Sequence, residues 1–430
     1  MGAFNSQLGI AQSYYAATAT PPLETTRLTG AATADVAVVG AGCTGLAAAL
    51  AAARAGYSVI VLEGGEIGWG ASGRNGGQII PGLRMSAFDL VRKYGADHAR
   101  KLFDLATSAR DAVVKLIQDE GIECDLRLTG HLTGAIRESD MPGLEQEVRC
   151  MREVMDYPHA SIIDHAAMQQ EVARPYVGGM LDMGGGHMHP LNYTLGLAKA
   201  VIAAGARIHS NSAAIELSRS SVETKIQTEH GYIKAKYVIL AGDSLLGDLD
   251  RNISRYIMPI ANYIATTSPL PEEITLIRND RAVSDTKFVV NYYRMTADGR
   301  LLFGGGERYT TSPPADMAAF VRPFLEKNFP QISGITIDHA WGGLVSVTRT
   351  RLPHLGRNGP VLWAHGYSGM GTILSTLAGR LLADAIDGDS RGLDLFRSIN
   401  PPPFPGGTAL RGPLHTLAML WFSMRDRIGL

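Results

Sequence analysis

Apolar residues are spaced in two ways along this chain, and the alternation between them divides it. Val36, Ala37, Val38 and Val39 fall in a short apolar run that predicts a buried strand over 35–39. An alanine-rich stretch that stops at Gly56 predicts a helix over 46–55, and the apolar, partly β-branched run 57–62 predicts a second strand. Parallel strands need such a helical crossover. Helical spacing continues over 85–115 through Phe88, Leu90, Val91, Leu102, Phe103 and Leu105, with charged residues between. A strand over 126–136, a helix over 141–155, a helix over 192–204 closed by Gly205 and a strand over 232–240 follow. Strict alternation takes over between about 253 and 341, where segments 288–295 and 300–304 flank the turn Ala297-Asp298-Gly299, a hairpin signal. Beyond Pro360 the first texture returns as strand 361–364, a glycine-rich turn and helix 373–386.

This order predicts an α/β protein: a Rossmann-like parallel sheet with helices, assembled from both ends of the chain, plus an inserted antiparallel β-sheet domain. The expected division is a leader 1–33, a nucleotide-binding domain from 34–90, 160–250 and 342–395, a substrate or cap domain from 91–159 and 251–341, and a tail 396–430.

With 430 residues, the chain can bury a full core. Forty basic against forty-one acidic residues leave a formal charge of -1, so the electrostatic footprint of a nucleic-acid binder is missing. Cys43, Cys124 and Cys150 have no metal or disulfide spacing and read as free thiols of a reducing compartment. No run is long and apolar enough to span a bilayer, and the polar stretch 16–28 is unlike a secretory signal. A cytoplasmic location is therefore expected. In the tail, 414–428 groups Leu417, Met419, Leu420, Trp421, Phe422 and Met424 among charged residues, an amphipathic helix expected to dock on the protein's own body rather than on a membrane.

Gly40, Gly42 and Gly45 form GxGxxG directly after a strand and directly before a helix. The first permits the tight turn, the second admits a pyrophosphate, and the third allows close helix packing. Glu63 ends the second strand, where a carboxylate accepts hydrogen bonds from an unphosphorylated adenosine ribose, favouring FAD or NAD over NADP. Immediately afterwards comes the glycine-dense loop Gly68-Trp69-Gly70-Ala71-Ser72-Gly73-Arg74-Asn75-Gly76-Gly77-Gln78. An NAD domain has no need of it, whereas the extended pyrophosphate and ribityl chain of a flavin must be wrapped by backbone donors.

Together with Gly366-Tyr367-Ser368-Gly369-Met370-Gly371, the leader Ser13-Tyr14-Tyr15-Ala16-Ala17-Thr18-Ala19 and the hairpin from Tyr292 to Gly305, these motifs resemble the D-amino acid oxidase superfamily of FAD enzymes, and within it the gamma-glutamylputrescine oxidase branch. The resemblance spans nearly the whole chain. It implies oxidation of an amine or amino acid C–N bond to an imine, then hydrolysis, with molecular oxygen as acceptor and hydrogen peroxide as product. Rival readings are a dehydrogenase of D-amino or N-methyl amino acids that passes electrons to a quinone, and a flavoprotein whose FAD is structural or redox-sensing.

The expected cofactor residues are Gly40, Gly42, Cys43, Thr44, Gly45, Glu63 and Gly64; Gly70, Ala71, Ser72, Arg74, Asn75, Gly76, Gly77 and Gln78; Ala214, Ala241, Gly242 and Gly343; and Gly366, Tyr367, Ser368, Gly369, Met370, Gly371 and Thr372. Backbone N–H groups at the last turn open a helix, where negative charge is stabilised, and by resemblance that charge is the one on the reduced flavin. Some relatives link the flavin to a cysteine just before this turn or place a lysine just after it. No cysteine follows Cys150 and Thr372 and Ile373 stand where the lysine would be, so non-covalent FAD is expected. For the substrate, Tyr292, Tyr293 and Arg294 are the candidates, on a strand that should cover the ring, with Arg294 able to clamp a carboxylate. Arg349, Arg351 and Trp341 are further pocket candidates. His187 and His189 lack a third ligand and read as structural rather than metal-binding.

Overall fold

A computed structural model describes residues 12–219, 223–307 and 313–408. Its first sheet runs, from one edge, His354–Asn358, Val361–His365, Gly231–Leu240, Gly30–Val39, Val59–Leu62 and Arg207–His209, with strands Thr224–Gln227 and Glu216–Arg219 branching from Gly231–Leu240. Apart from the first pair and that branch, neighbours are parallel. Val39 stands opposite both Leu62 and Leu240, so three central strands end level with one another. Ligands of open parallel sheets sit at that carboxyl edge.

The crossover helix is Cys43–Arg54, beginning three residues before the expected 46, and the late helix is Gly371–Ile386, two before the expected 373. In both, glycine and small residues at the start read locally as turn, and packing extends the helix through them. Gly40 has φ +108°, and a Cβ there would meet Ala241 O at 2.7 Å; a Cβ on Gly45 would fall 1.9 Å from Gly40 O. The turn and the helix behind it can therefore close only on glycine.

The second sheet runs Ile337–Val347, Met258–Pro269, Arg300–Glu307, Tyr292–Met295, Ala282–Asp285, His131–Ala135, Gly178–Asp182 and Ala160–Asp164. All its pairings are antiparallel except Ala282–Asp285 with His131–Ala135. The hairpin around Ala297-Asp298-Gly299 forms as expected, from Tyr292–Met295 and Arg300–Glu307, although its first strand starts four residues later than 288. Two segments lie elsewhere than the expected division put them. Strands Ala160–Asp164 and Gly178–Asp182 belong to this second sheet, and helix Ala96–Asp119 packs its Leu102 and Phe103 into the same core as Leu377 and Leu381 of the late helix. Short runs such as 160–164 carry no mark of which sheet they join; 160–164 pairs with 178–182 and that strand with 131–135, which reaches the second sheet through Ala282–Asp285. Among the described residues no helix is long and apolar enough to cross a membrane. The expected tail helix 414–428 lies outside the described residues.

Candidate functional site

A cavity of about 550 Å³ opens at the level carboxyl ends of the parallel strands and extends to the second sheet. Gly40, Gly42, Cys43 and Thr44 line it from the first turn, Glu63 and Gly64 from the second strand, and Gly70, Ala71, Ser72, Arg74 and Asn75 from the loop beyond. Ala214, Ala241 and Gly242 add a third side, and Tyr367, Ser368, Gly369, Gly371 and Thr372 close it. Segments more than 300 residues apart thus meet around one cavity.

Two helix starts face this space without a cap of their own. Gly42 and Met370 are the N-cap residues of Cys43–Arg54 and Gly371–Ile386, and neither supplies a side-chain cap. By contrast Ser13, Ser86, Asp164, His189 and Asp316 each cap the helix they precede. Only Cys43 N–H finds a side chain, Ser72 Oγ at 3.0 Å. First-turn amides left open, with the helix dipole behind them, form a site for negative charge.

Glu63 is buried at the other end. Its Oε2 accepts from Ala41 N–H at 2.7 Å, and Oε1 from Gly65 N–H at 2.9 Å and Trp69 Nε1–H at 3.0 Å. Burial pushes its carboxyl up, and these N–H donors oppose that shift. Arg74, whose guanidinium is drawn down to about 10 by burial, donates through Nη1 to Gly342 O at 2.8 Å and through Nε to Trp69 O. Trp341 Nε1–H donates to Arg74 O at 3.0 Å. The loop is therefore bolted to the second sheet.

Several expected cofactor residues stand behind the cavity wall instead of in it. Gly45 backs the first turn, and Gly343 packs against the Arg74 side chain. Gly366 N–H donates to Asp243 Oδ1 at 3.0 Å, while Met370 joins the core. Gly76 and Gly77 are clasped from behind by Tyr292 and by Met188 O, and Gln78 Nε2 donates to Val283 O at 2.9 Å and Tyr293 O at 3.3 Å. Reading the motif as one string put wall and support together.

The substrate candidates separate because adjacent strand residues face opposite sides. Tyr293 points into the second sheet's core between Phe303 and Phe329, its hydroxyl 2.9 Å from that of Tyr176, so it cannot meet a substrate in this cavity. Arg294 is no free clamp either. Its Nε donates to Gly76 O at 2.8 Å, Nη1 to Met295 O at 3.0 Å, and Nη2 to Tyr15 OH and Met188 O at 3.2 Å each. Tyr292, on the same strand face as Arg294, also meets the loop without lining the cavity: its ring covers Gly76 and its hydroxyl donates to Asn262 Oδ1 at 2.5 Å. Arg349 is exposed against Pro403, and Arg351 stacks on Phe288 at 4.4 Å, neither of them lining the cavity. His189 caps Pro190–Ala203, its Nδ1 accepting Asn192 N–H at 3.1 Å, and burial draws it down to about 4.

Sequence reasoning missed Asp243, Leu344, Val345 and Ser346, all in the cavity wall. Asp243 had a signal: it directly follows the Ala241-Gly242 pair after a strand, and the structure gives it φ +45°, rare for a residue with a side chain. The other three lie on strand Ile337–Val347, where alternation reveals a strand but not which face meets the cavity.

The model of the FAD dependent oxidoreductase family matches residues 35–385. Gamma-glutamylputrescine oxidoreductase of Escherichia coli (strain K12) is 38% identical over 97% of this chain and 98% of its own. A probable oxidoreductase, OrdL, of Haemophilus influenzae is 34% identical over 97% of each. Among solved structures, glycine oxidase from Geobacillus kaustophilus superimposes with a TM-score of 0.72 at 21% identity, covering 83% of this chain and 95% of its own. The last likeness concerns the fold alone.

Proposed function

The chain belongs to the FAD-dependent oxidoreductase family, its cofactor is FAD, and on that premise we propose that it oxidises the C–N bond of a small amine or amino-acid-like substrate, with gamma-glutamylated amines the first class to try. The observation that carries this reading is the pair of uncapped helix starts opening into one cavity that also reaches the second sheet. FAD, when bound, supplies a two-electron acceptor for hydride leaving the carbon beside the nitrogen.

The chain's own part is placement and electrostatics. Open amides from Gly42 onward would receive the diphosphate, with Ser72 steering Cys43 N–H, and Glu63 would accept a ribose hydroxyl on the Oε2 site that its three N–H donors leave. The open start of Gly371–Ile386 lines the same cavity, and its dipole would favour negative charge on a flavin held there and so its reduction. Leu344 and Val345 offer an apolar wall that excludes water, while Tyr292, held by Asn262, supports the loop at Gly76 from behind. The amine loses two electrons and two protons, one of them as the hydride's, to become an imine. Water then hydrolyses the imine to a carbonyl compound and an amine or ammonia, while oxygen takes two electrons and two protons to give hydrogen peroxide.

A peroxide-coupled assay over polyamines, gamma-glutamyl polyamines, N-methyl amino acids and D-amino acids tests this. The expected result is anaerobic bleaching of the flavin band by a gamma-glutamyl amine, followed by fast recovery in air with stoichiometric peroxide. Bleaching with slow recovery in air and fast recovery with a quinone would make the protein a dehydrogenase, and bleaching by no amine would refute the proposal. Cys43 is the one cysteine in the cavity wall; it is buried at the first turn, and burial pushes its thiol up, away from the nucleophilic thiolate. Acid precipitation is accordingly expected to leave all the flavin in the supernatant, and a yellow pellet would overturn non-covalent binding.

A further inference from the structure

The segment before residue 35 lies outside the match to the family, yet it is wired into the cofactor loop. Ser13 caps the short helix Tyr14–Thr18, its Oγ accepting Ala16 N–H at 3.0 Å. Tyr14 OH donates to Asp298 Oδ1 at 2.8 Å, in the hairpin turn of the second sheet. Thr18 Oγ1 lies 3.1 Å from His189 Nε2, and Thr20 N–H donates to Asn192 Oδ1 at 2.8 Å.

Tyr15 is fully buried at the centre of this arrangement, and two routes lead from it to the loop. Its hydroxyl accepts Arg294 Nη2–H, and Arg294 Nε–H holds Gly76 O. Its ring also meets Trp341 edge-on, with centroids 5.2 Å apart, and Trp341 Nε1–H holds Arg74 O. Both routes end on the loop that follows Glu63, one of them on Arg74 in the cavity wall itself. No residue of 13–20 lines that cavity. The segment therefore acts through others.

We propose that residues 13–20 form a strap whose seating is coupled to FAD binding, with Tyr15 and Arg294 as the positioning residues that transmit the coupling. The proposal rests on the cofactor reading above. Seating the strap fixes Arg74 and Gly76, and fixing them prepares the loop for the cofactor. Coupling of this kind is reciprocal: whatever factor the seated strap adds to FAD affinity, bound FAD must add to the seating of the strap.

Two measurements on the full-length protein test it. FAD titrated into apoprotein should bind at least tenfold more weakly to Arg294→Met and severalfold more weakly to Tyr15→Phe, with Arg294→Lys between Arg294→Met and the unaltered protein. Amide hydrogen exchange over residues 14–18 should slow severalfold when FAD is added to the unaltered protein. Equal exchange with and without FAD, or equal FAD affinity in Tyr15→Phe and the unaltered protein, would overturn the coupling. Should Arg294→Met fail to fold, the exchange measurement and Tyr15→Phe decide by themselves. If the unaltered protein binds no FAD, the cofactor reading has failed as well; if it binds FAD normally while the strap exchanges freely, only the coupling has failed.

Discussion

Gly42→Val is expected to yield a folded protein without yellow colour. Gly42 sits at φ −90° and ψ −178°, extended backbone open to any residue, so the demand for glycine here is one of space. A Cβ would stand 2.7 Å from Ser72 Oγ, the atom that accepts Cys43 N–H. Valine must push Ser72 aside and put two methyl groups over the first open amides of the helix. Loss of one charge-assisted contact set and steric exclusion together are worth about 3 kcal/mol, roughly a hundredfold in FAD affinity. The fold survives because the substitution faces the cavity and leaves Gly45, against Gly40 O, untouched. Purified variant that retains one FAD per chain would show that the diphosphate lies elsewhere.

Gly379→Val, in contrast, should weaken the fold itself. Gly379 lies in the middle of Gly371–Ile386, and a Cβ there would fall 2.1 Å from Thr44 O and 2.9 Å from Ala48 N of the crossover helix. Those atoms are backbone, so nothing flexible can yield, and the two helices must separate. Overpacking of this kind costs about 3 kcal/mol or more. Both helices aim their open ends at the same cavity, so separation also moves one charge-binding end relative to the other. Thermal unfolding should show a clearly lowered Tm, with FAD retained less well at temperatures where the variant is still folded. An unchanged Tm would mean that the helices do not touch at Gly379.

How much of this was legible in the chain follows from the range over which each signal acts. GxGxxG, the acid Glu63 and the loop to Gln78 are contiguous, and each residue type answers a local demand of backbone or phosphate, so the cavity's nucleotide side is readable from spacing. The second sheet was readable as texture and as one hairpin. Its faces were not: whether Tyr292 or Tyr293 looks toward the loop depends on register against Arg300–Glu307, where Tyr292 stands opposite Gly304 and Tyr293 opposite Phe303. Glycine opposite leaves room for Tyr292 to lie over the loop, and Phe303 draws Tyr293 into the core. Arg294 looked like a substrate clamp because an arginine on such a strand can grip a carboxylate; its carbonyl and hydroxyl partners come from segments 15, 76 and 188, which no spacing brings together. The same remoteness hid Ser346.

The pairing of Gly30–Val39 with Gly231–Leu240 also has a consequence during synthesis. Some two hundred residues must emerge before the first strand meets its second neighbour, which takes on the order of tens of seconds at ribosomal rates. Throughout that interval Val36, Val38 and Val39 have an unsatisfied edge, the kind of exposed apolar ribbon that recruits other nascent chains. A protein built from both of its ends is thus most vulnerable to aggregation while half made, and its yield should depend on chaperone supply more than its finished stability suggests.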